Sequence, residues 1–184
     1  MALIKLNNQS LSAVTSAGLP IRSGSVLQVK QALKTDTQSI QEAWVFTKIS
    51  GLTVNITPIL SNSTFVIAAS IFCSTSYFSY GFLIYKDGVD IGVKGDAENS
   101  NTRVAFGGNV FDGDNGNEDY EVNTDSYTYL YESTAPAGTS IAFDIHASPY
   151  ASSYPFYINR PSEASTSSSR IRGTSTLTVT EIAG

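Results

Sequence analysis

The sequence predicts an all-β protein, an antiparallel β-sandwich of the jelly-roll kind, and three observations carry that expectation. Short runs of β-branched and aromatic residues, about eight to ten of them, recur at intervals of roughly ten residues, separated by Gly, Asn, Asp, Ser and Pro turns. Charged residues are only 15% of the 184, and Ser, Thr, Asn and Gly are abundant, which suits neutral outward strand faces better than long helices. The stretch Thr64 to Val93 concentrates the β-forming side chains around a turn at Lys86-Asp87-Gly88-Val89. There Asp-Gly offers the two positive-φ positions of a type I′ hairpin.

Residues 1–24 read as an extended arm: Leu3, Leu6, Leu11 and Val14 are isolated among Asn, Ser and Gly, without sustained period. Apolar side chains so spaced cannot form a core of their own, so the arm is expected to anchor the chain on another protein. The sandwich is expected over residues 25–184, one domain by length. Ser25 to Gln31 opens it, a polar linker from Lys34 to Glu42 follows, and Trp44-Val45-Phe46 reads as a second strand segment, with Trp44 in the core or an interface. Leu52 to Pro58 alternates strictly, which sends Leu52, Val54 and Ile56 inward until Pro58 stops the strand. Phe65 to Cys73 is a nearly continuous apolar run, too short to cross a membrane and right for a buried strand. Phe82 to Tyr85 leads into the Asp-Gly turn, and Val89 to Val93 returns from it. Arg103 to Gly108 and Tyr127 to Glu132 come next, the latter with Tyr127, Tyr129 and Tyr131 on one face. Ile141 to His146 sends Ile141, Phe143 and Ile145 inward and Asp144 and His146 outward. Tyr154 to Asn159 and the Thr-rich Thr174 to Ile182 complete the set.

Composition narrows the function classes. A net charge of -5 and a pI near 4.7, with no Lys/Arg cluster, argue against nucleic-acid binding. No segment has the length and apolarity of a membrane helix, and the first residues lack the apolar core of a signal peptide, so the expected product is made in a cytoplasm without membrane insertion. Cys73 is the single cysteine, which leaves no intrachain disulfide, and its place in an apolar run marks it as a small buried side chain.

Three constellations could carry chemistry. The acidic loop from Phe111 to Glu121 makes Asp112 and Asp114 a candidate Ca²⁺ site, though an EF-hand loop would need a glycine where Asn117 stands and a glutamate where Asn123 stands. No other cofactor is expected. Asp144 and His146, two apart, lie side by side on one strand face, whereas a Ser-His-Asp triad needs the carboxylate behind the imidazole and a serine in front. The carboxylates Glu118, Asp119 and Glu121 could be paired as in a glycosidase, but they sit in a polar loop without an apolar pocket to raise one of their pKa values. Catalysis is therefore not expected. The surplus of 10 Tyr and 9 Phe is the third. Tyrosine joins a rigid apolar body to a hydroxyl, so Tyr127, Tyr129 and Tyr131 are candidates for a subunit interface, and Tyr77, Phe78 and Tyr120, with Asp112 and Asp114, for contact with a glycan.

The opening LNNQSLSAVTSAGLPIRSGSVLQV, the alternating LTVNITP, the hairpin YKDGVDIG, the segment GDAENSNTR, YINR at 157 to 160 and the terminal STLTVTEIAG resemble small structural proteins of marine tailed bacteriophages, those of cyanobacteria and pelagic bacteria included. The resemblance spans nearly the whole chain, and its most specific parts are the two ends. It implies a virion protein, fibre-like or decorating the capsid, whose β-domain is similar to the trimeric jelly rolls of the C1q and tumour-necrosis-factor type. It supplies no catalytic residues. The expectation is thus a non-enzymatic virion protein, docked by its arm on capsid or tail proteins, projecting a homotrimeric knob; the alternative is a receptor-binding module for host-surface glycans.

Overall fold

A computed structural model describes residues 21–75, 78–110, 122–162 and 170–184. The described residues form β1 (Val26–Lys34), β2 (Gln38–Ile40), β3 (Thr47–Ile56), β4 (Thr64–Thr75), β5 (Phe78–Lys86), β6 (Val89–Asp90), β7 (Phe106–Val110), β8 (Asn123–Glu132), β9 (Ile141–Pro149), β10 (Phe156–Ile158) and β11 (Ser175–Ile182). All pairings among them are antiparallel.

Two sheets face each other. In the first, β4 carries β8 on one edge, and on the other edge β11 along Thr64 to Ser70 and β10 along Cys73 to Thr75; β1 lies outside β11 and β2 outside β10. In the second, β9 sits between β3 and β5, and β6 and β7 share the far edge of β5. Counting β1 with β2, β6 with β7 and β10 with β11 as broken strands turns eleven strands into eight positions, ordered 1-8-3-6 and 2-7-4-5. That is the order of an eight-position jelly roll, so the expected fold class is the observed one.

Alternation builds the core between the sheets. On β4, Phe65, Ile67, Ala69, Ile71 and Cys73 are buried; on β3, Leu52, Val54 and Ile56; on β9, Ile141, Phe143 and Ile145; on β11, Leu177 and Val179. Phe82 is the ring at the centre: it stacks on Phe106 with centroids 4.5 Å apart and meets Phe156 edge-on at 5.5 Å. The Asp87-Gly88 turn forms as expected, with φ of 51° and 80°.

The sandwich has two unlike ends. At one, Gly24 N donates to Ala183 O and Ala183 N to Ser25 O, so Gly24 and Ser25 lie beside the end of β11. The β3–β4 and β8–β9 connections and the Asp87-Gly88 turn lie there too. At the other end are the β2–β3 connection, the start of β5 and the β9–β10 connection; Val110 and Asn123, which flank residues 111–121, pair there with Phe78 and Cys73. β4 runs the length between them, 12 residues, or roughly 40 Å at the usual rise of a strand.

Three buried polar residues tie strand ends together. Glu181 occupies a core-facing position of β11 and is fully buried. Its carboxylate accepts from Ile59 N at 2.8 Å, Leu60 N at 3.2 Å, Ser63 Oγ at 2.6 Å and Gln28 Nε2 at 2.6 Å. Asn159, at φ 63°, donates from Nδ2 to Lys34 O and Asp36 O, both at 2.9 Å, and accepts from Ser175 Oγ at 2.7 Å. Lys34, whose side chain is wholly buried, reaches Asp36 Oδ2 at 2.8 Å and Ser50 Oγ at 3.2 Å.

Some local expectations are corrected. The polar stretch from Lys34 to Glu42 is not all linker: Gln38–Ile40 pairs with β10 and buries Ile40, because Asn159 and Lys34 satisfy the polar groups of the bend between β1 and β2. Trp44-Val45-Phe46 is not a strand. It is the corner where the chain crosses from one sheet to the other, with Trp44 at φ 62° and half exposed rather than in the core. The return from the Asp-Gly turn stops after Asp90, because Asp90 Oδ1 accepts from Gly92 N at 2.8 Å and Gly92 at φ 79° bends the chain away. Arg103 to Ala105 precede β7 rather than belonging to it.

Candidate functional site

The β2–β3 corner, the start of β5 and the β9–β10 connection bring aromatic side chains from three distant parts of the sequence together at the end opposite Gly24. Trp44 meets Tyr150 edge-on with ring centroids 5.3 Å apart, Phe78 packs on Tyr150 at 4.8 Å, and Tyr154 meets Phe78 at 5.7 Å. Trp44 is 50% exposed, Tyr150 44% and Phe78 38%. Backbone bonds fix the approach of the segments: Trp44 N donates to Pro149 O and Tyr150 N to Ser79 O.

Beside this cluster, on the outer face of the second sheet, opens a pocket of about 290 Å³. Trp44, Phe46 and Tyr150 form its walls, and Ser79, Gly81 and Ser148 line it from β5 and β9. Its rim is Asn101 and Thr102, from the β6–β7 connection, which folds over the sheet: Ala105 N donates to Phe82 O at 2.8 Å, and Val104 lies so close to Gly81 that a Cβ there would stand 2.2 Å from Val104 Cγ1. Gly81 is therefore the condition for that coverage. Among the described residues, no carboxylate, ammonium or guanidinium group lines the pocket.

The expected site residues fare differently. Leu3, Leu6, Leu11 and Val14 of the arm, Tyr77, and Asp112, Asp114 and Tyr120 of the acidic loop lie outside the described residues, as do Glu118, Asp119 and Glu121. Phe78 is in the aromatic cluster. Tyr127, Tyr129 and Tyr131 do share a face, but it is the inner one. All three pack against the core, Tyr127 parallel to Phe106 at 5.1 Å and Tyr131 edge-on to Phe143 at 5.6 Å. The three rings therefore form no outward patch on β8. Outward on the same sheet run Val29, Thr180, Val66 and Leu130, one cross-strand row from β1 to β8, with Val29 and Leu130 more than half exposed.

Asp144 and His146 lie on the outer face of β9, as alternation requires, yet Asp144 is only 4% exposed. Neighbouring side chains cover it: its Oδ1 accepts from Thr53 Oγ1 and from Lys48 Nζ, each at 2.6 Å. His146 stacks on Tyr85 with centroids 3.7 Å apart, and its Nδ1 lies 3.1 Å from Phe46 O. A carbonyl only accepts, so this contact puts the proton on Nδ1. No hydrogen bond joins Asp144 to His146 among the described residues. Cys73 is buried as expected, its Sγ 3.7 Å from Asp125 Oδ2; burial above all, then the Asp125 charge, pushes the thiol upward, away from the reactive thiolate. Among the described residues no cluster of three His, Cys, Asp or Glu side chains could hold a metal ion, and no helix is long and apolar enough to cross a membrane.

The residues sequence reasoning missed are Trp44, Phe46, Ser79 and Asn101. Trp44 stood out as the single tryptophan, but nothing around it signals a left-handed backbone, so its exposure was not legible.

No family model matches the chain, and no curated protein does. Among solved structures, that of infectious bursal disease virus, strain Gt, is similar at 17% identity with a TM-score of 0.42, and that of strain Gx at 16% with 0.41. Each match covers 88% of this chain, which spans 39% and 38% of those longer chains.

Proposed function

We propose that the chain is a non-enzymatic structural protein of a bacteriophage virion, docked by its N-terminal segment on capsid or tail and projecting a homotrimeric jelly-roll knob as fibre or decoration. The observation that carries this reading is the polarity of the sandwich. Gly24, which follows the arm in sequence, is bonded at one end, and the exposed aromatic loops lie at the other. A protein fixed to a platform and facing outward needs such an axis. The resemblance of both ends of the sequence to phage structural proteins supplies the platform. The buried charges Lys34, Asp144 and Glu181 are all engaged in bonds between strands and loops, which fits a scaffold role.

Two expected results test it. Particles assembled with a chain lacking residues 1–20 should be depleted of the protein although the truncated domain is folded; normal incorporation would sink the anchoring role. For the trimer, the Val29–Leu130 row is the surface to probe, because exposed branched side chains flanking a Thr-rich strand favour association. Leu130→Asp should lower the mass measured by light scattering at micromolar concentration, whereas an unchanged mass would remove this face from the interface.

The second reading, recognition of a host-surface glycan, is favoured by the exposed Phe78, Tyr150 and Trp44 rings at the outward end. Alanine at Tyr77, Phe78, Asp112 and Asp114 should then abolish adsorption to cells by particles that carry the protein in normal amount. Unchanged adsorption would remove that reading.

A further inference from the structure

The geometry points to the pocket between Trp44, Phe46 and Tyr150 as a binding site for one neutral pyranose ring. Two of the aromatic residues at this end are held in a conformation that bulky side chains avoid: Trp44 and Phe78 both have φ of 62°, while the other non-glycine residues at positive φ are Asn or Asp. Asn and Asp tolerate that region through local hydrogen bonds; Trp and Phe do not, and such backbone costs on the order of 1–3 kcal/mol. At Trp44 the strain turns a large indole out to half exposure instead of into the core, beside Tyr150 and over the pocket.

The lining matches the two-sided chemistry of a sugar. A pyranose has an apolar C–H face, which packs on an aromatic ring, and an equator of hydroxyls, which need donors and acceptors. The indole and the Tyr150 phenol supply the first. Ser79, Asn101 and Thr102 supply the second, and their side chains enter no hydrogen bond with the described residues, so they are open to a ligand. Among the described residues the lining holds no charged group to pair with a sialic acid, phosphosugar or nucleotide, so it matches a neutral sugar. The volume, about 290 Å³, lies at the lower end of the range of small-molecule sites and suits one ring rather than a chain. Gly81 keeps the floor open and holds the rim against the sheet through Val104.

This site deepens the glycan reading above and rests on it for its purpose, but binding can be read without particles. Trp44 is the single tryptophan, so its fluorescence reports from the pocket wall. The full chain is titrated with the methyl glycosides of glucose, galactose, mannose and N-acetylglucosamine, and with N-acetylneuraminic acid and adenosine as charged and planar comparisons. At least one neutral glycoside should give a saturable change with a Kd on the order of millimolar, as expected of a shallow site for a single ring. Tyr150→Ala should weaken it at least tenfold. Asn101→Ala, a change on an exposed loop that leaves the core untouched, should weaken it about fivefold, the loss of one hydrogen bond. Trp44→Ala, followed by calorimetry, should abolish it. Saturation by none of the four glycosides, or by adenosine alone, would overturn the site, as would undiminished binding by Tyr150→Ala and Asn101→Ala. Sugar binding by the isolated chain together with normal host adsorption by Tyr150→Ala particles would keep the site and overturn the host-recognition reading instead.

Discussion

Replacing Glu181 with alanine should lower the free energy of unfolding by about 2–5 kcal/mol, the range expected when two buried N–H donors lose their acceptor. The carboxylate is fully buried, and four donors converge on it: the N–H groups of Ile59 and Leu60, the Ser63 hydroxyl and the Gln28 amide. Alanine leaves the Ile59 and Leu60 N–H groups without their acceptor and a cavity beside them, while Gln28 Nε2 keeps Thr57 O and Ser63 Oγ keeps Leu60 O. The site joins β1, β11 and the β3–β4 connection at the end where Gly24 and Ala183 are bonded, so the loss falls on that end of the sandwich. Acid should have the same effect by protonation. Burial raises the Glu181 carboxyl, but the bonds from Ser63, Gln28, Leu60 and Ile59 outweigh it and hold the group below its ordinary value of 4.5. A carboxyl lowered by folding contributes stability that is fully present above the unfolded value and is lost as pH falls through the folded one. Wild-type protein should therefore lose stability as pH drops below about 4.5, and Glu181→Gln, which has no charge to lose, should show a flatter acid limb. Urea midpoints at neutral and acidic pH measure both effects. A Glu181→Ala variant within 1 kcal/mol of wild type would contradict the network.

Asn159→Ala should cost about 3 kcal/mol, and Asn159→Gly roughly 1 kcal/mol less. The side chain is fully buried and bridges the bend between β1 and β2 to Ser175 at the start of β11. Either variant leaves the Lys34 and Asp36 carbonyls and the Ser175 hydroxyl short of a partner. Alanine must also hold φ at 63°, which glycine does freely. The gap between the two variants isolates the backbone contribution, and equal stabilities would show that the left-handed conformation costs nothing there. The larger loss belongs to the network that lets two broken strands run as one position of the jelly roll.

Much of this was legible in the sequence. Period-two alternation is local, and it placed Leu52, Val54 and Ile56, and Ile141, Phe143 and Ile145, on the core side, as found, whereas the nearly continuous apolar run from Phe65 to Cys73 marked a buried strand without saying which of its faces meets the core. Asp87-Gly88 fixed its own turn because the conformational preference lies in those two residues. Alternation also put Tyr127, Tyr129 and Tyr131 on one face without saying which. That choice depends on where β4 and Phe106 lie, and pairing between strands far apart in sequence sets it. Glu181 shares its face with Leu177 and Val179 by simple counting, yet only the β3–β4 connection, more than a hundred residues earlier, makes burial of its charge tolerable. The pocket was the least legible feature of all. Trp44, Ser79, Asn101 and Tyr150 sit on four separate connections or strand ends, and no local pattern links them. Tertiary structure decides their meeting, because two sheets must close over one core and the chain must cross between them at the same end.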